Sequence, residues 1–258
     1  MCLIFLAHQQ HSDWPLIIAS NRDEFFNRPT QPGHFWGPQF NLLAGKDQEH
    51  GGTWLAVNKN GRFSAVTNFR DPNQSLGKIS RGQLVTDFVN GNAGALDYLQ
   101  NINPEDYTGF NLLVFDGKDL GYTSNKSDGP KLLEPGIYGL SNHLLDTPWP
   151  KVVSGKRTFA EIIDQTDVDI EELFNLMTDT QRADIEDLPR TGVSTELEHH
   201  LSSKFITPTA DNIPDSHGNY GTRSTTIIMI DKNGHGVWHE RNHESGEIST
   251  ETAVEVNW

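Results

Sequence analysis

Short apolar runs, each closed by a tight-turn signal, recur along this sequence and leave little freedom of architecture. Cys2–Ala7 and Leu16–Ser20 read as strands joined through the polar Ser12-Asp13-Trp14-Pro15. Thr53–Asn58 and Arg62–Asn68 flank Lys59-Asn60-Gly61, and an Asn-Gly step between β-rich runs favours a hairpin because both residues tolerate positive φ. Strands return at Asn111–Phe115, Leu120–Ser124 and Gly136–Leu140, the first two turned at Asp116-Gly117. Thr222–Asp231 and Gly236–Glu240 form a last hairpin around Asn233-Gly234. Helical periodicity interrupts this pattern at Ser80–Asn90, where Ser80 can cap and Leu84, Val85 and Phe88 make an apolar stripe. Ala93–Gln100, Lys151–Asp164 and Ile170–Thr178 also read as helices. Residues 179–215 are polar and acidic, partly helical over Thr191–Ser203, and read as a long excursion able to act as a mobile lid. Hairpins, a helix pair, then more hairpins and helices imply one α+β domain over residues 1–258, with helices packed outside antiparallel sheets.

Composition narrows the function classes. Net charge is −15, from 35 acidic against 20 basic side chains, so nucleic acid is not expected as a partner. No run approaches the ~20 apolar residues that span a bilayer, and the first apolar run lacks a basic start, so neither membrane insertion nor secretion is expected. A single cysteine excludes an internal disulfide and fits a cytoplasmic location. No glycine-rich loop follows a strand, which argues against a nucleotide site. His235, His239 and His243 recur every four residues, but Val237-Trp238 between them read as strand, so no metal site is expected.

That one cysteine is Cys2, directly behind Met1. Removal of Met1 would leave a thiol and a free α-amine on the same Cα. An α-amine titrates near ~7.7–8.0, so a neutral fraction can take the thiol's proton. The plainer alternative is a small apolar residue opening a buried strand. The densest polar run is Ser20-Asn21-Arg22-Asp23-Glu24, followed by Phe25-Phe26-Asn27-Arg28-Pro29. If the strand before it pairs antiparallel with the first, Asn21–Asp23 lie beside Cys2. There a carboxylate can hold the amine and an arginine can favour the thiolate. Arg22, Asp23, Glu24 and Arg28 read equally well as a surface ion-pair cluster.

Met1-Cys2 with Ala19-Ser20-Asn21-Arg22-Asp23-Glu24-Phe25-Phe26-Asn27-Arg28-Pro29 resembles the signature of the NRDE proteins, the transport and Golgi organisation protein 2 family. Gly51-Gly52-Thr53-Trp54-Leu55-Ala56, Thr67-Asn68-Phe69-Arg70 and Gly221-Thr222-Arg223-Ser224 resemble its later blocks. That family is similar to the cysteine N-terminal-nucleophile hydrolases, among them penicillin V acylase and bile salt hydrolase. The resemblance implies a four-layer αββα sandwich. It also implies Cys2 as nucleophile, Asp23 as the carboxylate at the α-amine, Asn68 and Asn142 as active-site asparagines and Arg223 as the arginine near the nucleophile. The arginine that usually precedes the Asn-x-Asp pattern is replaced by Ser20, while Arg22 falls inside the pattern. Asn21, Arg22, Arg28 and Arg70 are then substrate-binding candidates. Taken without the resemblance, Asn68 and Asn142 read as turn residues at strand ends.

Two functions follow. One is an amidohydrolase or acyltransferase acting on a small acyl compound through Cys2, with no required cofactor. The other, suggested by the family's link to haem trafficking and to lipid or acyl-CoA handling, is a carrier using the same pocket without turnover. Cys2, His8, His34 and His143 are the candidate axial ligands if that cargo is haem, which would be non-covalent because no Cys-x-x-Cys-His motif is present.

Overall fold

A computed structural model describes residues 2–37, 41–74, 76–208, 219–233 and 235–257. Thirteen strands among them form two antiparallel sheets. The first sheet contains β1 (Cys2–His8), β2 (Leu16–Phe25), β10 (Gly136–Leu140), β11 (Tyr220–Ile230), β12 (His235–Glu244) and β13 (Glu247–Asn257), in the order β10-β1-β2-β11-β12-β13. The second runs in chain order through β3 (Thr30–Trp36), β4 (Leu42–Asp47), β5 (Leu55–Asn58), β6 (Phe63–Asn68), β7 (Phe110–Phe115), β8 (Leu120–Ser124) and β9 (Lys131–Leu133). Helices α1 (Arg81–Asn90) and α2 (Ala95–Gln100) cover the outside of the second sheet. Helices α3 (Pro150–Ile163) and α4 (Ile170–Met177) cover the outside of the first, and the short α5 (Thr195–His200) follows.

The side-chain alternation of a strand builds these layers. In β1, Ile4 and Leu6 enter the core between the sheets, with Leu43, Val57, Phe63 and Leu113 from the second sheet. Leu3, Phe5 and Ala7 point the other way, against Val152, Phe159 and Phe174 of the helices. Both faces are buried, which is why these strands read as continuous apolar runs rather than as alternating ones. On the other side of the sandwich, α1 buries Leu84, Val85, Phe88 and Val89 against β6 and β7. Each fully buried side chain of this size contributes roughly 1.5–3 kcal/mol. The αββα sandwich expected from the sequence is the fold observed.

Several local expectations change. Ser80 stands at the N-cap of α1, but its side chain makes no capping hydrogen bond. Strand β2 runs on to Phe25, so the polar Asn21–Glu24 run lies within a strand rather than after one. Strands β3 and β4 were hidden because Pro32 and Gly33 interrupt the first of them. They fit at the sheet's edge, in a bulge between Gln31 and His34. The last hairpin is a three-strand meander completed by β13. The expected excursion over 179–215 lies outside the described residues from 209 to 215 and is tied down before that. Leu201 to Ile206 are all buried, and Ile206 N–H donates to Thr222 Oγ1 at 2.8 Å.

Candidate active site

Antiparallel pairing of β1 with β2 sets Cys2 opposite Arg22 and Leu3 opposite Asn21, as the short connection between the strands requires. On its far side β2 pairs with β11, Thr222 facing Asp23 and Ser224 facing Arg22. The register shifts between Thr222 and Ser224, leaving Arg223 as the extra residue of a bulge. The start of β1 opens on a cavity of about 410 Å³ between the end of the sandwich and the N-terminus of α1. Cys2, Arg22, Asp23, Asn68, Trp54 and Arg81 line it.

Cys2 is 8% exposed. Burial pushes its thiol up, and the Asp23 carboxylate adds to this, while Arg22 and the Asp23 backbone N–H work in the other direction. The resting side chain is therefore a neutral thiol, and attack on a carbonyl requires a base. Asp23 is 1% exposed, and burial raises its carboxyl against the opposing charges of Lys151 and Arg70. Its Oδ1 accepts from Thr222 Oγ1 at 2.7 Å. Arg22 points into the cavity, its guanidinium stacked on Trp54 at 4.2 Å and donating to Thr30 Oγ1 at 3.3 Å. Such stacking fixes a cation in place without neutralising it.

The remaining expected site residues divide. Asn68, at the end of β6, lines the cavity, and its side-chain amide bonds to no described residue. Arg28 lines it too, but Asp47 at 2.7 Å and Glu49 at 3.1 Å hold its charge. Asn142 stands behind the wall, its amide donating to the Asn68 carbonyl at 3.0 Å. Asn21 is buried and tied to structure: Nδ2 donates to Met177 O and Lys204 O, and Oδ1 accepts from Thr225. Arg70 is buried against Trp149 and paired with Glu198 at 2.5 Å, away from the cavity lining. Arg223 does not face the cavity of Cys2. The bulge turns it toward a neighbouring cavity of about 350 Å³, where it donates to the carbonyls of Phe25 and Arg28. Arg22 lines both cavities.

Three charged residues escaped the sequence reading. Arg81 lines the cavity and donates to Gly109 O at 3.0 Å, with no carboxylate partner among the described residues. Burial lowers its guanidinium, and an ionised Cys2 is the leading influence in the other direction. A cation in the first turn of a helix opposes the helix dipole, and that was the available signal. Lys151 and Glu198 lie in the polar cluster behind Asp23, buried at 4% and 2% exposure. Of the four candidate haem ligands, Cys2 alone lines the cavity. His8 is at the far end of β1 against Phe115, His34 bonds to Pro32 O, and His143 bonds to Thr147 Oγ1. They provide no converging axial pair.

The two-sheet sandwich with a strand-opening cysteine at one end defines the class: the N-terminal-nucleophile hydrolase fold. Solved structures agree at the level of fold. A conjugated bile acid hydrolase from Clostridium perfringens superposes with a TM-score of 0.55 at 10% identity, covering 100% of this chain and 93% of that one. A Caenorhabditis elegans N-acylethanolamine-hydrolyzing acid amidase ortholog gives 0.50 at 8% identity, covering 88% and 92%. Within that class, the profile of the family Transport and Golgi organisation 2 matches residues 1–245, and the chain belongs to this family. The Homo sapiens homolog is 34% identical over 269 residues, 96% of this chain and 95% of the relative. The Mus musculus homolog is 34% identical over 261 residues, 93% and 92%. Among the described residues no helix is long and apolar enough to cross a membrane.

Proposed function

We propose that this protein is an N-terminal-cysteine amidohydrolase or acyltransferase acting on a small acyl compound. The observation that carries the reading is the position of Cys2, which opens β1 at the wall of the cavity with Arg22, Asp23 and Asn68 around it. Loss of Met1 places the α-amine on Cys2 itself. The amine takes the thiol proton as Sγ bonds to the substrate carbonyl carbon. The resulting ammonium then returns that proton to the leaving nitrogen, or to sulfur where the substrate is a thioester, as the old acyl bond breaks. The uncommitted Asn68 amide is available to the oxyanion, and one such donor is typically worth ~2.7–4 kcal/mol. Water resolves the acyl-cysteine to an acid, or an amine acceptor takes the acyl group. Of the solved proteins that share the fold, one is by its name a hydrolase of conjugated bile acids and the other an N-acylethanolamine-hydrolyzing acid amidase, and the amidase supports the choice of bond.

One observation favours a carrier instead. Leu76, 91% exposed, is among the residues lining the cavity and offers an apolar surface that a bound acyl chain would cover. A lipid or acyl-CoA would meet that description more simply than haem, for which only Cys2 among the expected ligands is at hand. A panel of amides and thioesters, assayed with the wild type and with Cys2→Ala, separates the two. Turnover lost by at least ~10³-fold in Cys2→Ala supports the enzyme. Equal slow hydrolysis by both proteins assigns the cavity to a carrier. Intact-mass measurement of the cellular protein checks the premise, since retained Met1 would remove the amine from Cys2.

A further inference from the structure

Opposed residues of antiparallel strands carry their side chains on the same face of a sheet. The register of the first sheet therefore lays out one row. Cys2 of β1 is opposite Arg22 of β2, Arg22 opposite Ser224 of β11, Ser224 opposite Asn242 of β12, and Asn242 opposite Thr250 of β13. This is the face that sends Ile4, Ile18, Ile228 and Trp238 into the core between the sheets. Cys2 opens on its own cavity, while Ser224, Asn242 and Thr250 line the neighbouring one of about 350 Å³. Arg22 is common to both. On the cysteine side its guanidinium rests on Trp54 and lies 3.9 Å from Glu24, and on the other side Nη1 donates to Thr30.

Three features of the neighbouring cavity point to an anion. Arg223 commits Nη1 to two backbone carbonyls and pairs with no carboxylate among the described residues, so Nε and Nη2 remain to donate. Burial and the nearby Arg22 charge both work against its guanidinium, a pairing that a bound anion relieves. Ser224 is 2% exposed, and its Oγ bonds to no described residue. A buried hydroxyl in this state needs a partner that the described chain does not supply. The charge count selects the kind of anion. Glu244 also lines the cavity, and His243 is neutral because burial lowers its ring to about 4. Two guanidinium groups against one carboxylate leave a single positive charge among the described residues, which suits a carboxylate better than a phosphate dianion. Guanidinium forks match carboxylates in geometry as well.

We propose that this cavity is a carboxylate-binding subsite: Arg223 and Arg22 hold the carboxylate end of a substrate whose acyl carbon lies at Cys2, with the Ser224 hydroxyl as a further donor. Cys2 and Ser224 are two inter-strand spacings apart, so the substrate class narrows to amides or thioesters with a carboxylate ~10 Å from the scissile bond. The inference rests on the reading of Cys2 as nucleophile, but its test needs no turnover.

Cys2 is the only cysteine, so every mass increment with an iodoacetyl probe reports on it. The probes are the N-iodoacetyl derivatives of glycine, 4-aminobutyric acid and 6-aminohexanoic acid, each compared with its primary amide. The readout is the ratio of alkylation rates, acid over amide, followed by intact mass. The ratio is expected to grow with chain length and to reach at least ~10 for the hexanoic acid. Arg223→Gln should bring it back toward one. So should Thr250→Asp, which adds a negative charge at the exposed rim, whereas Glu244→Gln, also exposed, should raise it. A ratio near one at every length overturns the proposal, as does a high ratio that Arg223→Gln and Thr250→Asp leave unchanged. Should Arg223→Gln fail to fold, the two exposed variants decide, and a ratio unmoved in both overturns it. A phosphonate of the same length that alkylates faster than the hexanoic acid overturns the assignment to carboxylates. Carboxylate preference without turnover of any amide or thioester would sink the catalytic reading and leave this one standing. Turnover of neutral acyl compounds with no carboxylate preference would do the reverse.

Discussion

The Nδ1 nitrogen of His243 is buried with no hydrogen-bond partner among the described residues, while Nε2 lies 3.0 Å from Thr225 Oγ1. Thr225 donates its own proton to Asn21 Oδ1, so the ring must donate through Nε2 and is held in that neutral tautomer. Protonation would place an N–H at Nδ1 with nothing to accept it. Burial, with some help from Arg241, accordingly lowers the ring from 6.5 to about 4. As pH falls below 6.5 the unfolded chain binds a proton that the folded chain refuses, and stability drops until the folded ring titrates near 4. Over that window the loss amounts to about 3 kcal/mol. His243→Gln keeps a donor for Thr225 and removes the titration. Denaturant unfolding of both proteins at pH 7.5 and pH 4.5 should show the wild type losing more, and parallel losses would refute the assignment. The same scale holds the clearest departure from the sequence reading. Arg223 was expected beside Cys2, and one extra residue in β11 turns it away.

The N-terminus of α1 meets the approach to β5 along bare backbone. A Cβ on Gly82 would lie 2.9 Å from Thr53 O and 3.2 Å from Gly52 Cα, and one on Gly52 would lie 2.9 Å from the carbonyl carbon of Gly82. Glycine is required at both positions by proximity rather than by φ. Gly82→Ala gains about 1 kcal/mol of helix propensity. Overpacking against backbone, which cannot rotate aside, costs about 1–3 kcal/mol. The second effect should win, lowering Tm by a few degrees. Because α1 carries Arg81 into the cavity of Cys2, the same change should also slow alkylation of Cys2 or alter its pH dependence. A Tm at or above that of the wild type would show that the helix can move aside freely. Gly51-Gly52-Thr53-Trp54 thereby acquires two roles that its sequence did not reveal, a close helix approach and, through Trp54, the platform for Arg22.

The core between the sheets draws on strands from both, from Ile4 and Ile18 on one side to Val57 and Leu113 on the other. Glu240 of β12 crosses the same space, accepting from the Gly33 N–H of β3 at 2.6 Å. Neither sheet can keep its inner face dry alone, so the chain should unfold as a unit despite its length. Calorimetric and van 't Hoff enthalpies are expected to agree, with a single transition. Two resolved transitions would mean that the sheets, or the segment after α4, unfold separately.

Hairpin chemistry and apolar runs were enough to specify antiparallel sheets with outer helices, because turn residues and strand burial are local properties. They were also enough to bring Cys2 next to Arg22, since a short loop between two strands dictates their register. Residues 20–24 could not be recognised as strand from their polarity, because what satisfies Asn21 and Asp23 arrives from Met177, Lys204 and Thr222, distant in the chain. Arg81, Lys151 and Glu198 could not be assigned a place for the same reason. Whether a charge faces a cavity, another charge or water depends on packing among elements far apart in sequence, and only the tertiary structure decides that.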